Sequence, residues 1–220
     1  MPARPALTPD GIVGAAARVA DAGGLGKVSM RNVGKELGVE AMSLYHHLAG
    51  KDALLDGLAD WAFARIEAPA PDEPWRPAMA RRAASTRAVL RDHPWALGLL
   101  ESRRSPGPSL LRHHDAVLGC LRGNGFPVRM AAHAFSLLDA YVYGFVLTES
   151  NLPFEAGEGV ENFVAQMTPA LAGYPHLSEM VTTMVLGRDY DYADEFAVGL
   201  EMILDILEAR LRAAAGQPAV

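Results

Sequence analysis

Cysteine is almost missing from this chain: Cys120 stands alone in 220 residues. A single thiol makes neither an intrachain disulfide nor a zinc cluster, so apolar packing has to hold the fold together. Aromatic residues are 7% of the chain and charged residues 21%, which fits neither a disordered tail nor a membrane protein. No uninterrupted apolar run reaches the roughly 18–20 residues of a spanning helix. The opening Met1-Pro2-Ala3-Arg4-Pro5 lacks the apolar region of a secretory leader, and a cytoplasmic location is expected. Strand-like alternation between turn signals is absent, and so is any internal repeat. There is no His-Glu-x-x-His, no phosphate-cradling glycine loop and no Gly-x-Ser-x-Gly elbow. No enzymatic activity, no cofactor and no metal site is therefore expected.

What the chain does have is apolar residues at helical spacing. Half of its residues are hydrophobic, enough for a sizeable core, and the pattern predicts an all-α fold. The net charge of −6 speaks against a nucleic-acid partner only when taken whole. Residues 1–51 hold six basic and four acidic side chains, whereas residues 52–220 carry a net −8. A mildly basic head on an acidic body fits a head that touches phosphate and a body that does not.

The first helix opens at Thr8-Pro9-Asp10: a capping hydroxyl, a proline suited to the first turn and an acid that complements the dipole. Gly23-Gly24 ends it. Ser29 is the next cap, with Val28 and Val33 placed as a hydrophobic staple. Gly38 turns the chain, a third short helix runs from about Ala41 to His47, and Ala49-Gly50 breaks it. A fourth helix begins near Lys51 and buries Leu54, Leu55, Leu58, Trp61 and Ala62. The run from Glu67 to Pro77 has four prolines and reads as a loop. Helical patterns resume around Ala78–Arg91, Trp95–Ser102, Ser109–Arg122, Pro127–Glu149, Val160–Ala172, His176–Leu186 and Tyr192–Ala213.

Helix, tight glycine turn and short helix over residues 29–47 is the pattern of a helix-turn-helix, in which the second helix enters the DNA major groove. Leu44 is its core anchor; Ala41, Met42, Ser43, Tyr45, His46 and His47 occupy the other sides. Small, polar and aromatic groups suit packing against bases and sugars. On spacing alone, a plain helical hairpin with a solvated face accounts for the pattern equally well.

The run Leu44-Tyr45-His46-His47-Leu48-Ala49-Gly50-Lys51, followed by Ala53-Leu54-Leu55, resembles the signature of the tetracycline-repressor-like (TetR) family of transcriptional regulators. Val28-Ser29-Met30-Arg31-Asn32-Val33 and Leu37-Gly38-Val39 match upstream. The resemblance implies a three-helix DNA-binding domain over residues 1–51, joined through the fourth helix to a ligand-binding and dimerisation domain over residues 52–220. It implies a homodimer, a near-palindromic double-stranded operator and, by family habit, repression. It assigns DNA contacts to Ser29, Met30, Arg31, Ala41, Met42, Ser43, Tyr45, His46, His47 and Lys51. Met30 lacks the hydroxyl that the family often has there. Arg31 stands at a guanine-reading position, and an arginine fork matches guanine O6 and N7. Adjacent His46 and His47 do not share a helix face and make a poor metal pair.

In the body, residues 127–149 and 192–213 are apolar on more than one side, which suggests burial against both their own subunit and a partner. The family's corresponding helices form a bundle between subunits. Ligand contacts are expected among Trp61, Phe63, Trp95, His113, His133, Phe135, Asp139, Tyr143, Gln166 and Met167, because a pocket needs a few oriented polar groups among apolar ones. The resemblance places Leu100 at a histidine that binds magnesium–tetracycline in the tetracycline repressor. Leucine ligates no metal, so a small, largely apolar effector is expected instead. A DNA-binding regulator or architectural protein without a small-molecule ligand is the alternative.

Overall fold

The structure is a computed structural model that describes residues 7–102, 106–154, 158–186 and 190–216. Helices make up the described fold, with no strand among the described residues. The N-terminal part is α1 (Pro9–Gly23), a 3-10 turn (Leu25–Lys27), α2 (Met30–Leu37), α3 (Ala41–Leu44) and α4 (Lys51–Phe63). Then follow α5 (Trp75–Asp92), α6 (Trp95–Ser102), α7 (Pro108–Gly123) and α8 (Val128–Glu149). The chain ends with α9 (Glu158–Leu171), α10 (Pro175–Met184), a 3-10 turn (Tyr192–Asp194) and α11 (Glu195–Ala215). Contacts divide the chain into two compact units, residues 1–143 and residues 144–220.

The helix starts are set locally. The Thr8 hydroxyl accepts from the Gly11 N–H at 3.1 Å, and the Ser29 hydroxyl from the Asn32 N–H at 3.2 Å. Val28 and Val33 are both fully buried around that second cap, as a staple requires. Gly38 ends α2 in the left-handed conformation, φ 65° and ψ 35°, which residues with a Cβ rarely adopt. Gly34 serves a different need. A Cβ there would lie 2.9 Å from the Val39 carbonyl oxygen, so only glycine lets α2 come this close to the chain entering α3.

Two boundaries differ from the sequence expectation. The third helix is a single turn, Ala41–Leu44. The Leu44 carbonyl accepts from both His47 at 2.9 Å and Leu48 at 3.0 Å, and this tightening takes the chain out of α geometry. The proline-rich run is shorter than expected, because α5 already starts at Trp75. A partner distant in sequence fixes that start: Asn124, after α7, accepts the Trp75 N–H at 3.3 Å. The Trp75 ring packs edge-on against Phe126 at 5.0 Å.

In the first unit α4 packs on α1 and also on α6 and α7. Its Asp60 carboxylate accepts the Ser109 and Leu110 N–H groups at 2.6 and 3.2 Å, capping the start of α7 from another helix. On α7, Cys120 is buried, its Sγ 3.7 Å from the Glu73 carbonyl oxygen. Helix α8 is long and apolar enough to cross a membrane by length and composition. Within the first unit it buries Ala131, Ala134, Leu138 and Val142 and carries Asp139, whose partner is a buried arginine. These are features of a bundle helix.

In the second unit Phe145 stacks on Tyr192 at 4.7 Å and meets Phe196 edge-on at 5.0 Å. Helix α11 buries Phe196, Leu200, Leu204 and Leu207, and exposes Val198, Met202 and Ile206. Asp191 caps the 3-10 turn before it, accepting the Ala193 N–H at 2.8 Å. Asp189, acidic like Asp191, Asp194 and Glu195 in the segment leading into α11, lies outside the described residues.

Candidate functional site

Two groups of side chains stand out, one in the head and one in the body. In the head, the turn at Gly38 sets α2 and α3 around a concavity of about 830 Å³ lined by Arg31, Lys35, Gly38, Glu40, Ala41 and Ser43. Arg31 and Lys35 are one turn apart on α2, hence on one face, and both are exposed. Lys35 was missed in the sequence, although its i, i+4 spacing from Arg31 was the available signal. Asn32 between them is committed to the fold, donating to the Lys27 carbonyl at 2.7 Å.

Along α3 and just after it, Met42, Tyr45, His46 and His47 are exposed, Ala41 and Ser43 half-buried, and Leu44 fully buried. Ser29 is half-buried and uses its hydroxyl as the α2 cap. Met30 departs from the side-chain contact that its position implied. It is only 5% exposed, so its thioether packs in the core. Lys51 is exposed at the first turn of α4, which begins after Gly50 with no side-chain cap. Uncapped N–H groups beside a lysine form a natural phosphate seat.

The ten body residues divide into two clusters and four residues outside them. In the first cluster, Trp61 on α4 lies edge-on to His93 at 4.9 Å and 5.9 Å from Trp95. The Arg65 guanidinium sits 3.2 Å above the Trp61 ring. Here the head meets the body: Asp21 of α1 accepts the Trp95 Nε1–H at 2.6 Å and lies 2.7 Å from His93 Nδ1.

The second cluster is deeper. Arg82 on α5 is 1% exposed. Its Nε donates to His113 Nε2 at 2.8 Å and its Nη2 to Asp139 Oδ1 at 2.5 Å. Thr86, one turn on, bonds the Arg82 carbonyl at 2.8 Å. Phe63 lies 6.0 Å from the His113 ring, and the His114 ring is 4.7 Å from Phe135. Burial, then the Arg82 charge and His114, push the His113 pKa down to about 3. Burial also lowers the His114 pKa. His114 adjoins the expected His113 in the chain, whereas nothing local in the sequence links Arg82 to either.

The four remaining residues stand apart. His133 is exposed on α8, and Tyr143 is half-buried where the first unit ends. Gln166 and Met167 are exposed on α9 in the second unit.

Residues 12–58 match the family model described as bacterial regulatory proteins, tetR family. Residues 68–211 match the one described as tetracyclin repressor-like, C-terminal domain. The chain is 34% identical to the HTH-type transcriptional repressor DrrR1 of Streptomyces coeruleorubidus, covering 98% of this chain and 83% of that protein. An HTH-type transcriptional regulator of Saccharopolyspora erythraea is also 34% identical, over 80% of this chain and 75% of its own length. Among solved structures, apo ActR from Streptomyces coelicolor superposes with a TM-score of 0.78 at 27% identity, covering 94% of this chain and 98% of ActR. ActR in complex with actinorhodin gives a TM-score of 0.74 at 28% identity, covering 96% and 100%. A three-helix head with an exposed cationic concavity, carried on a larger helical body and matched along nearly its full length, places this chain in the TetR family of bacterial transcriptional regulators.

Proposed function

We propose that the chain is a repressor that binds a near-palindromic operator as a homodimer and leaves it when a small, largely apolar molecule enters the body. In this reading residues 1–51 are the reading head and residues 52–220 the sensing and dimerising body, with α4 as the connection. The observation that carries the proposal is the concavity of α2 and α3, where Arg31 and Lys35 are exposed, with Tyr45, His46 and His47 exposed just after α3 in the chain. Arg31 reads a base, Lys35, Tyr45 and Lys51 hold phosphates, and Ala41, Met42 and Ser43 face the groove. ActR, a structural relative, has been solved with actinorhodin and with (S)-DNPA, which supports an effector for this chain too. Support for a route from effector to DNA comes from α4, which packs on α1 and on α6 and α7. Support for the dimer comes from the second apolar face of α11 at Val198, Met202 and Ile206.

Selection of bound sequences from a random DNA library tests the reading. An inverted repeat should emerge, because a two-fold dimer presents two equivalent heads. Arg31→Ala should then cost about 1–3 kcal/mol on the selected site and relax preference at one position per half-site. Lys51→Ala should weaken all sequences alike and flatten the salt dependence. Enrichment of no sequence refutes the operator reading; an equal loss on all sequences for Arg31→Ala makes Arg31 a phosphate contact. Val198→Glu with Met202→Glu should give a folded monomer by sedimentation. An intact dimer would remove α11 from the interface.

A further inference from the structure

An arginine Nε carries a hydrogen and can only donate, so the 2.8 Å contact makes His113 Nε2 the acceptor. Burial keeps the His113 ring uncharged, and the single proton of that neutral ring therefore sits on Nδ1. His113 is 3% exposed, and its Nδ1 is buried with no hydrogen-bond partner in the described protein. Arg82 offers only further donors, and the Asp139 carboxylate lies on the Arg82 side, held by Nη2. The rings nearest His113 belong to Phe63 and His114, with Phe135 edge-on to His114. His114 and Phe135 are only half-buried, so the aromatic cluster runs from the surface inward to the imidazole.

We propose that the effector is an aromatic molecule bearing a carbonyl or phenolic oxygen, which accepts the His113 Nδ1–H while its rings lie among Phe63, His114 and Phe135. This rests on the effector reading above and adds the chemistry that selects the molecule. A buried donor aimed at one acceptor discriminates against an analogue that lacks the acceptor, because that analogue leaves the donor unpaired. The guanidinium of Arg82 beside it disfavours a cationic amine at the same point. Arg82 acts here as a positioning residue: by occupying Nε2 it fixes the tautomer that presents Nδ1–H.

The test uses the full-length protein and two soluble probes of like shape and charge, anthraquinone-2-sulfonate and anthracene-2-sulfonate, which differ in two carbonyl oxygens. Titration calorimetry should show the quinone binding at least about tenfold more tightly. His113→Phe should abolish that preference, so that the two probes bind the variant within about twofold of each other, as expected for loss of one hydrogen bond. His113→Gln, which restores an N–H donor, should recover part of the preference; it also serves should the phenylalanine variant fail to fold by circular dichroism. Equal affinity of the wild type for the two probes, binding of neither, or a preference that survives in both variants overturns the proposal. A parallel screen for release of the selected operator separates the two levels. Release by molecules without an acceptor oxygen sinks the His113 contact alone, whereas release by no molecule sinks the effector reading beneath it.

Discussion

Head and body use arginine in opposite ways. Arg31 is exposed on α2 and lines an open concavity, where water solvates its charge until a partner arrives. Arg82 is 1% exposed and held by His113 and Asp139, which come from α7 and α8. A solvated charge adds little to stability, and most of its value lies in binding. A buried one must be matched inside the fold, and removing one partner leaves the others uncompensated.

The sharpest way to break this contrast is to remove each guanidinium in turn. Arg82→Met should destabilise the protein by about 3–5 kcal/mol, because the Asp139 charge loses its partner in the interior. Urea unfolding measures this, and Arg82→Met with Asp139→Leu should regain much of the loss. Arg31→Met should leave stability within about 0.5 kcal/mol while DNA binding falls. Similar midpoints for Arg82→Met and Arg31→Met would erase the distinction.

A second prediction uses pH, since His113 titrates far below an ordinary histidine. With a folded pKa near 3 against about 6.5 when unfolded, the unfolded chain binds the extra proton between those values. Stability from this group is complete above about pH 6.5 and is lost as pH falls towards 3. Lowering the pH from 7 to 5 should cost about 2 kcal/mol. His113→Phe should remove that part of the pH dependence, and an unchanged slope would show that His113 is not the group responsible.

The smallest expected effect concerns the seam between the regions. Asp21→Ala removes the acceptor of the Trp95 indole and the partner of His93, which should cost about 1 kcal/mol. Both melting temperature and operator affinity should shift. If neither moves, α4 alone carries the connection.

Legibility in the sequence followed the distance between partners. Thr8 bonds Gly11 and Ser29 bonds Asn32, three residues on, and the left-handed turn needs only Gly38 itself. Those features could be read from neighbours in the chain, and so could the exposed set Met42, Tyr45, His46, His47 and Lys51. The Arg82 cluster joins residues 31 and 57 positions apart, and the caps from Asp60 and Asn124 act across 49. No local pattern encodes such pairs. Periodicity also showed two apolar sides on α11 without saying which one faces inward. Leu200 and Leu204 lie inside the subunit, so charging them should unfold the chain, whereas Val198 and Met202 are the positions to alter at an interface. Trp75 looked like part of a loop because its capping partner, Asn124, comes from the turn after α7.

The lone thiol of Cys120 gives the molecule a clock. It is fully enclosed on α7, its proton directed at the Glu73 carbonyl, and burial raises its pKa above the ordinary thiol range. The reactive thiolate is therefore scarce as well as hidden. Alkylation by a small reagent has to wait until α7 parts from its surroundings, so its rate counts those openings. With no second cysteine in the chain, the count needs no engineered label and no correction for other sites. Anything that tightens the body around its contents slows the clock, whether or not DNA is present.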